Sequence, residues 1–192
     1  MTMRKALTGT LAALTVLFAA GEAGAQGVIP LSFEVRAGAA IPTGDFADDG
    51  DAETGFALGG TVEYSIIPTF GVYGGFSRDA FGCGDDCDYV SSGFDVGGVV
   101  RLSRMVPLQP WVKAGITFHE LEAESSTGGV SASLTSDRAV GIEVGGGLSF
   151  DLAPSIQLTP GVWFHSYTPD FDGEEGVDVT YIVADLGLRL SL

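Results

Sequence analysis

The feature that most constrains this chain is a series of eight strand-length stretches in which apolar and polar residues alternate, joined in turn by short turns and long acidic connections. The stretch from Ile182 to Leu192 is the clearest. Its even positions are apolar throughout, and its odd positions include Asp185, Gly187, Arg189 and Ser191. Successive strand side chains point to opposite faces, so each stretch is a ribbon with one apolar and one polar side. The spacing predicts strands over 31–41, 56–67, 70–78, 93–103, 110–120, 139–151, 156–167 and 179–192. Connections are short around Pro68-Thr69, over Arg104–Gln109 and around Ala153-Pro154-Ser155. They are long over Pro42–Gly55, Asp79–Ser92, Leu121–Arg138 and Thr168–Asp178. Alternate connections of an up-and-down barrel lie at opposite ends, so one end is trim and the other carries four long loops. That asymmetry is what a barrel with short periplasmic turns and long external loops shows.

The apolar face repeats the message. It runs through Leu31, Phe33, Val35, Ala37 and Ile41, then Phe56, Leu58, Val62, Tyr64 and Ile66, and continues on later strands through Phe94, Val96, Val100, Val140, Ile142, Val144 and Leu148. Phe33, Tyr64, Phe70 and Phe150 fall near the short-turn end, and Phe56, Phe76, Phe94, Phe118 and Phe164 near the long-loop end. Two aromatic belts around an aliphatic band match the two interfaces of a bilayer, where rings sit at headgroup depth. A soluble barrel with this face turned inward is the competing arrangement, and it fits poorly with so few lysines to solvate an exterior.

The opposite face carries Glu34, Arg36, Glu63, Asp95, Arg101, Lys113, Glu143, Asp185 and Arg189 among Gly, Ser and Thr. Eight strands enclose a lumen only wide enough for side chains. Isolated charges there would each cost several kcal/mol of desolvation, so these are expected to pair into an interior network that plugs the barrel. Gly59, Gly71, Gly75, Gly97, Gly115, Gly141, Gly145, Gly147, Gly161 and Gly187 share the inward parity and are expected to leave room for the long Arg and Lys side chains.

Residues 1–25 read as a cleaved signal peptide: basic Arg4 and Lys5, an apolar stretch from Ala6 to Ala20, and a small-x-small site at Ala23-Gly24-Ala25. Residues 26–192 are then one barrel domain, with no further domain expected after the last strand. Of nine basic and 25 acidic residues the leader holds Arg4, Lys5 and Glu22, leaving seven against 24 and a formal charge of −17. Such an excess argues against nucleic acid as a partner. Cys83 and Cys87 are the only cysteines. In an oxidising compartment they are expected to form a small disulfide at the tip of the second loop; a metal site there would need further ligands.

With the leader, the eight alternating strands and the final Tyr181–Leu192 stretch in view, the chain resembles the small eight-stranded bacterial outer-membrane β-barrel proteins, the opacity-protein, OmpA-transmembrane-like and OmpW-like group. The resemblance covers nearly the whole mature chain and is architectural. It implies an all-β fold, a single eight-stranded antiparallel up-and-down transmembrane barrel in the bacterial outer membrane, in contact with outer-membrane lipid and lipopolysaccharide. The last strand is similar to the family's assembly signal, read by the barrel assembly machinery, though it ends in Leu192 where Phe is usual.

The function expected is structural or surface-interacting, with a plugged interior and acidic external loops. Two alternatives stand beside it: a narrow OmpW-like channel for small apolar molecules, and a lipid-modifying outer-membrane enzyme or soluble ligand-binding barrel. An enzyme is not expected. A deacylase needs Ser, His and a carboxylate within reach of one another, and the only candidates are His165-Ser166 and His119-Glu120, whose members face opposite sides of a strand. Both histidines are expected at the rim. Acids crowd the long connections: Asp45, Asp48, Asp49, Asp51 and Glu53; Asp79, Asp85, Asp86 and Asp88; Glu122, Glu124 and Asp137; Asp170, Asp172, Glu174, Glu175 and Asp178. Divalent cations are candidate partners for them. Asp45–Gly50 nevertheless lacks the acid at the third position of a calcium loop, and Phe56 stands where the closing Glu belongs. No catalytic, cofactor or metal site is expected.

Overall fold

The computed structural model describes residues 30–84, 87–103, 107–127, 130–171 and 174–192. The expected leader and the loop acids Asp85, Asp86 and Asp172 lie outside them. The eight wall strands are β1 (Leu31–Thr43), β2 (Gly55–Ile67), β3 (Phe70–Gly82), β4 (Cys87–Arg101), β5 (Leu108–Thr127), β7 (Ala139–Ala153), β8 (Ile156–Tyr167) and β11 (Val179–Ser191). Each pairs antiparallel with its neighbours, and the pairing of β1 with β11 closes the sheet into a barrel. Closure removes the unpaired edges that an open sheet would present to lipid.

Alternation along the strands sorts the side chains. In β1, Glu34, Arg36 and Ala40 are buried while Val35, Ala37 and Ile41 are exposed. Val62, Val96, Val112, Val144, Val162 and Leu188 continue the exposed apolar band on other strands. Register aligns the loop-end belt: Phe76 faces Phe94, and Phe94 faces Phe118, across β3, β4 and β5. The Phe76 and Phe94 rings meet edge-on with centroids 5.4 Å apart.

The turn end is tight, with Ile67 paired to Phe70 and Ala153 to Ile156. The loop end differs from the sequence expectation. β3 and β4 continue as a ladder as far as Gly82 opposite Asp88, so the second connection shrinks to a few residues. β5 likewise runs on to Thr127 and folds back through β6 (Val130–Thr135). Outside a bilayer neither face of a strand must be apolar, so these extensions carry no lipid-facing pattern to read. The first connection holds a short helix, α1 (Asp45–Asp48), and the last a small hairpin of β9 (Asp170–Phe171) and β10 (Glu174–Glu175).

Candidate functional site

Among the described residues, buried functional groups converge in the lumen, which divides into levels. At the turn end lies an ionic layer. Arg189 donates from Nε and Nη2 to Glu34 Oε2 at 3.0 and 2.7 Å, and its Nη2 is 3.3 Å from Glu63. Arg101 pairs with Glu63, Lys113 Nζ is 3.6 Å from Glu34, and Arg36 Nε is 3.5 Å from Asp185. A polar vestibule of about 200 Å³, lined in part by Ser32, Gln157, Arg101 and Arg189, opens at this end.

Above it comes an aromatic layer that the charge pattern of the sequence does not announce. Trp111 and Trp163 are buried, with ring centroids 5.4 Å apart. The Arg36 guanidinium lies 4.0 Å over the Trp163 ring, and Lys113 Nζ is 5.3 Å from the rings of Tyr73, Trp111 and Trp163. Such cation–π contacts compensate part of the hydration a buried cation loses. The glycines serve this layer more than the Arg and Lys stems expected of them. A Cβ at Gly97 or Gly115 would stand 2.6 Å from the Tyr73 hydroxyl, and one at Gly145 or Gly147 would run into Trp163 or Trp111. Gly59 is the position that makes room for Arg36.

The upper lumen carries carboxylates and imidazoles without Lys or Arg pairs among the described residues. Asp95 Oδ1 lies 3.0 Å from His119 Nε2, and Asp95 Oδ2 accepts from the Ser77 hydroxyl at 3.1 Å. Ser91 Oγ is 3.0 Å from His119 Nδ1 and accepts from the Tyr167 hydroxyl at 2.8 Å. Glu143 Oε1 accepts from the Tyr73 hydroxyl at 2.5 Å, and the Tyr181 hydroxyl donates to Asp79 at 2.8 Å. Three expectations are corrected. Asp95 and Glu143 meet histidines and a tyrosine, where Arg or Lys partners were expected. Asp79 is a buried residue of β3, not a loop acid. His119 and His165 are buried inside, not at the rim. Parity held the signal for the histidines, since His119 stands in step with Lys113 and His165 with Trp163.

Over these sits an apolar cap. Phe46, on α1, meets the edge of Phe81 at 5.1 Å and packs near Tyr89, and Phe81 in turn meets Tyr181 at 5.1 Å. The helix begins at Gly44, whose φ of 59° suits glycine and turns the chain back over the barrel mouth. Beyond the cap, Cys83 and Cys87 are joined as a disulfide with Cα atoms 5.0 Å apart, at the tip of the β3–β4 hairpin. Ser166 is turned away from the inward His165, and Glu120 pairs with Arg138 on the outside.

Residues 10–189 match the family model described as "Outer membrane protein beta-barrel domain". Among solved structures, Neisserial surface protein A is similar with a TM-score of 0.66 at 16% identity, covering 87% of this chain and all of that one. Ail, the attachment invasion locus protein of Yersinia pestis, is similar with a TM-score of 0.53 at 17% identity, covering 83% of this chain and 97% of that one. Ail in complex with the heparin analogue sucrose octasulfate gives 0.50 at 16% identity, covering 83% and 99%. No curated protein sequence matches the chain.

Proposed function

This chain belongs to the outer membrane protein β-barrel domain family, and from that premise we propose that it is a non-conducting barrel whose working surface is its acidic loop end. One observation carries the reading: the lumen is filled at successive levels by the ionic layer, the Trp111–Trp163 pair and the Phe46–Phe81–Tyr181 cap. A barrel packed in this way serves as a scaffold that holds loops outside the outer membrane, where lipopolysaccharide surrounds it. Its final strand is the segment the assembly machinery would read.

The charge of the rim narrows the partner. Ail is recorded with a polyanionic ligand, whereas Asp45, Asp48, Asp49, Asp51, Glu53 and Asp88 would repel one here. A cationic partner, or divalent ions bridging the rim to another surface, fits this chain. No catalytic step is assigned to it: Ser166 faces away from His165, and the hydrogen-bonded Ser91, His119 and Asp95 are all buried in the packed lumen.

Planar-bilayer recording of the refolded mature protein tests the plug. The expected record shows no steady single-channel current; a stable ohmic conductance across preparations would replace this reading with a channel. Replacing the rim acids with Asn and Gln is expected to abolish binding to cationic peptide-coated surfaces while leaving the barrel folded.

A further inference from the structure

We propose that Asp95, Glu143 and His165 form a buried site for one zinc-like divalent transition-metal ion in the upper lumen. The sequence places Asp95 and Glu143 in the interior charge network and His165 at the rim, with no metal expected. In the folded barrel one ligand atom from each lies within 4.8 Å of the others. Glu143 and His165 are register partners on β7 and β8, and Asp95 reaches toward them from β4 past Thr117 and Gly115 of β5.

A cluster of acids alone would not mark a site; the state of these atoms does. Glu143 Oε2 and His165 Nδ1 are both buried and without a hydrogen-bond partner, and they face each other at 4.0 Å. A buried polar atom left unpaired costs about 1–3 kcal/mol, and two aimed at one point call for something between them. Zinc bonds to N and O of about 2.0–2.2 Å put tetrahedral ligands roughly 3.3 Å apart. The observed 4.0 Å closes to that by a small side-chain rotation.

The surroundings fit a metal as well. Ligand carboxylates and imidazoles are normally fixed by groups behind them. Tyr73 donates to the other oxygen of Glu143, and Ser77 and His119 hold Asp95. His165 is fixed by stacking on Tyr181, with ring planes 8° apart and centroids 4.9 Å apart. Charge points the same way. The lumen buries the side chains of Glu34, Glu63, Asp79, Asp95, Glu143 and Asp185 against Arg36, Arg101, Lys113 and Arg189, an excess of two negative charges among the described residues. All four cations are paired in the lower half. A divalent ion above them restores neutrality. One imidazole with two carboxylates suits a borderline first-row ion such as zinc better than calcium, which takes oxygen ligands only.

The mature chain, refolded in detergent with zinc chloride and then desalted against a chelator, tests this. Elemental analysis is expected to find one zinc per barrel. Refolding with cobalt(II) in its place is expected to give visible d–d absorption. His165→Ala should lose both signals, Tyr73→Phe should weaken affinity about 10–100-fold, and the exposed Glu120→Gln should keep full occupancy. Folding of each variant is checked by its unheated electrophoretic mobility. If His165→Ala does not fold, His165→Gln takes its place. A folded wild-type barrel without metal overturns the site, and so does metal retained by the His165 variant, which would place the ion on the rim.

Discussion

Arg189 and Glu34 are register partners across the seam where the last strand meets the first, and they are joined there by two hydrogen bonds inside the barrel. The closure of the cylinder therefore coincides with a buried, doubly hydrogen-bonded ion pair. Removing one member leaves a buried charge without its partner, which costs about 3–5 kcal/mol in a dry interior. Arg189→Met and Glu34→Gln should each lower the unfolding free energy in lipid by that order, and the double variant by less than the sum. Strict additivity in this cycle would show that the two residues do not act as a pair.

Gly145 lies against the Trp163 ring with no room for a side chain. Gly145→Val overpacks the aromatic layer and is expected to cost about 1–3 kcal/mol. Equilibrium unfolding in detergent measures it. A neutral result would mean that Trp163 is not seated in the lumen.

Phe46 closes the loop end from a helix of only one turn. Phe46→Ala should therefore act locally. The amides of Ala47, Asp48 and Gly50, bonded within that turn, are expected to exchange faster with deuterium while the global unfolding midpoint hardly moves. Unchanged exchange there would show that the ring does not anchor the loop.

The Cys83–Cys87 ring encloses few residues, so its reduction is expected to cost about 2 kcal/mol or less on the chain-entropy account. Non-reducing mass spectrometry with alkylation reads the bond directly in protein extracted from native membranes. Two alkylated thiols would exclude it.

How far the sequence could be read depended on the bilayer. Where lipid presses on a strand, as at Val35 or Leu188, the two-residue period must be kept, and every wall strand is visible in it. Past the belt at Phe76 and Phe94 that demand ends, so the sequence pattern marks neither the inward turn of Asp79 nor the ladder that continues to Gly82. The inward parity of the nine charged residues could be read in the same way. Their partners could not, because pairing such as Arg36 with Asp185, or Glu143 with His165, depends on strand stagger and on the volumes of Trp111 and Trp163. The inward aromatics carry an equally plain parity, Trp111 in step with Lys113 and Trp163 with Gly161.

The continuation of β3 beyond Phe76 sets how far the acidic loops stand from the lipid headgroups. Six residues, Ser77–Gly82, separate that belt from the hairpin tip. At about 3.3 Å each, with a tilt of roughly 40°, they raise the tip by about 15 Å. The Debye length at 0.15 M salt is about 8 Å, so the phosphate layer below is felt at the tip only weakly. An approaching partner would sense the loops' own field ahead of that of the membrane. Shortening this ladder, with every loop residue kept, should make its capture depend on the anionic lipid content of the bilayer.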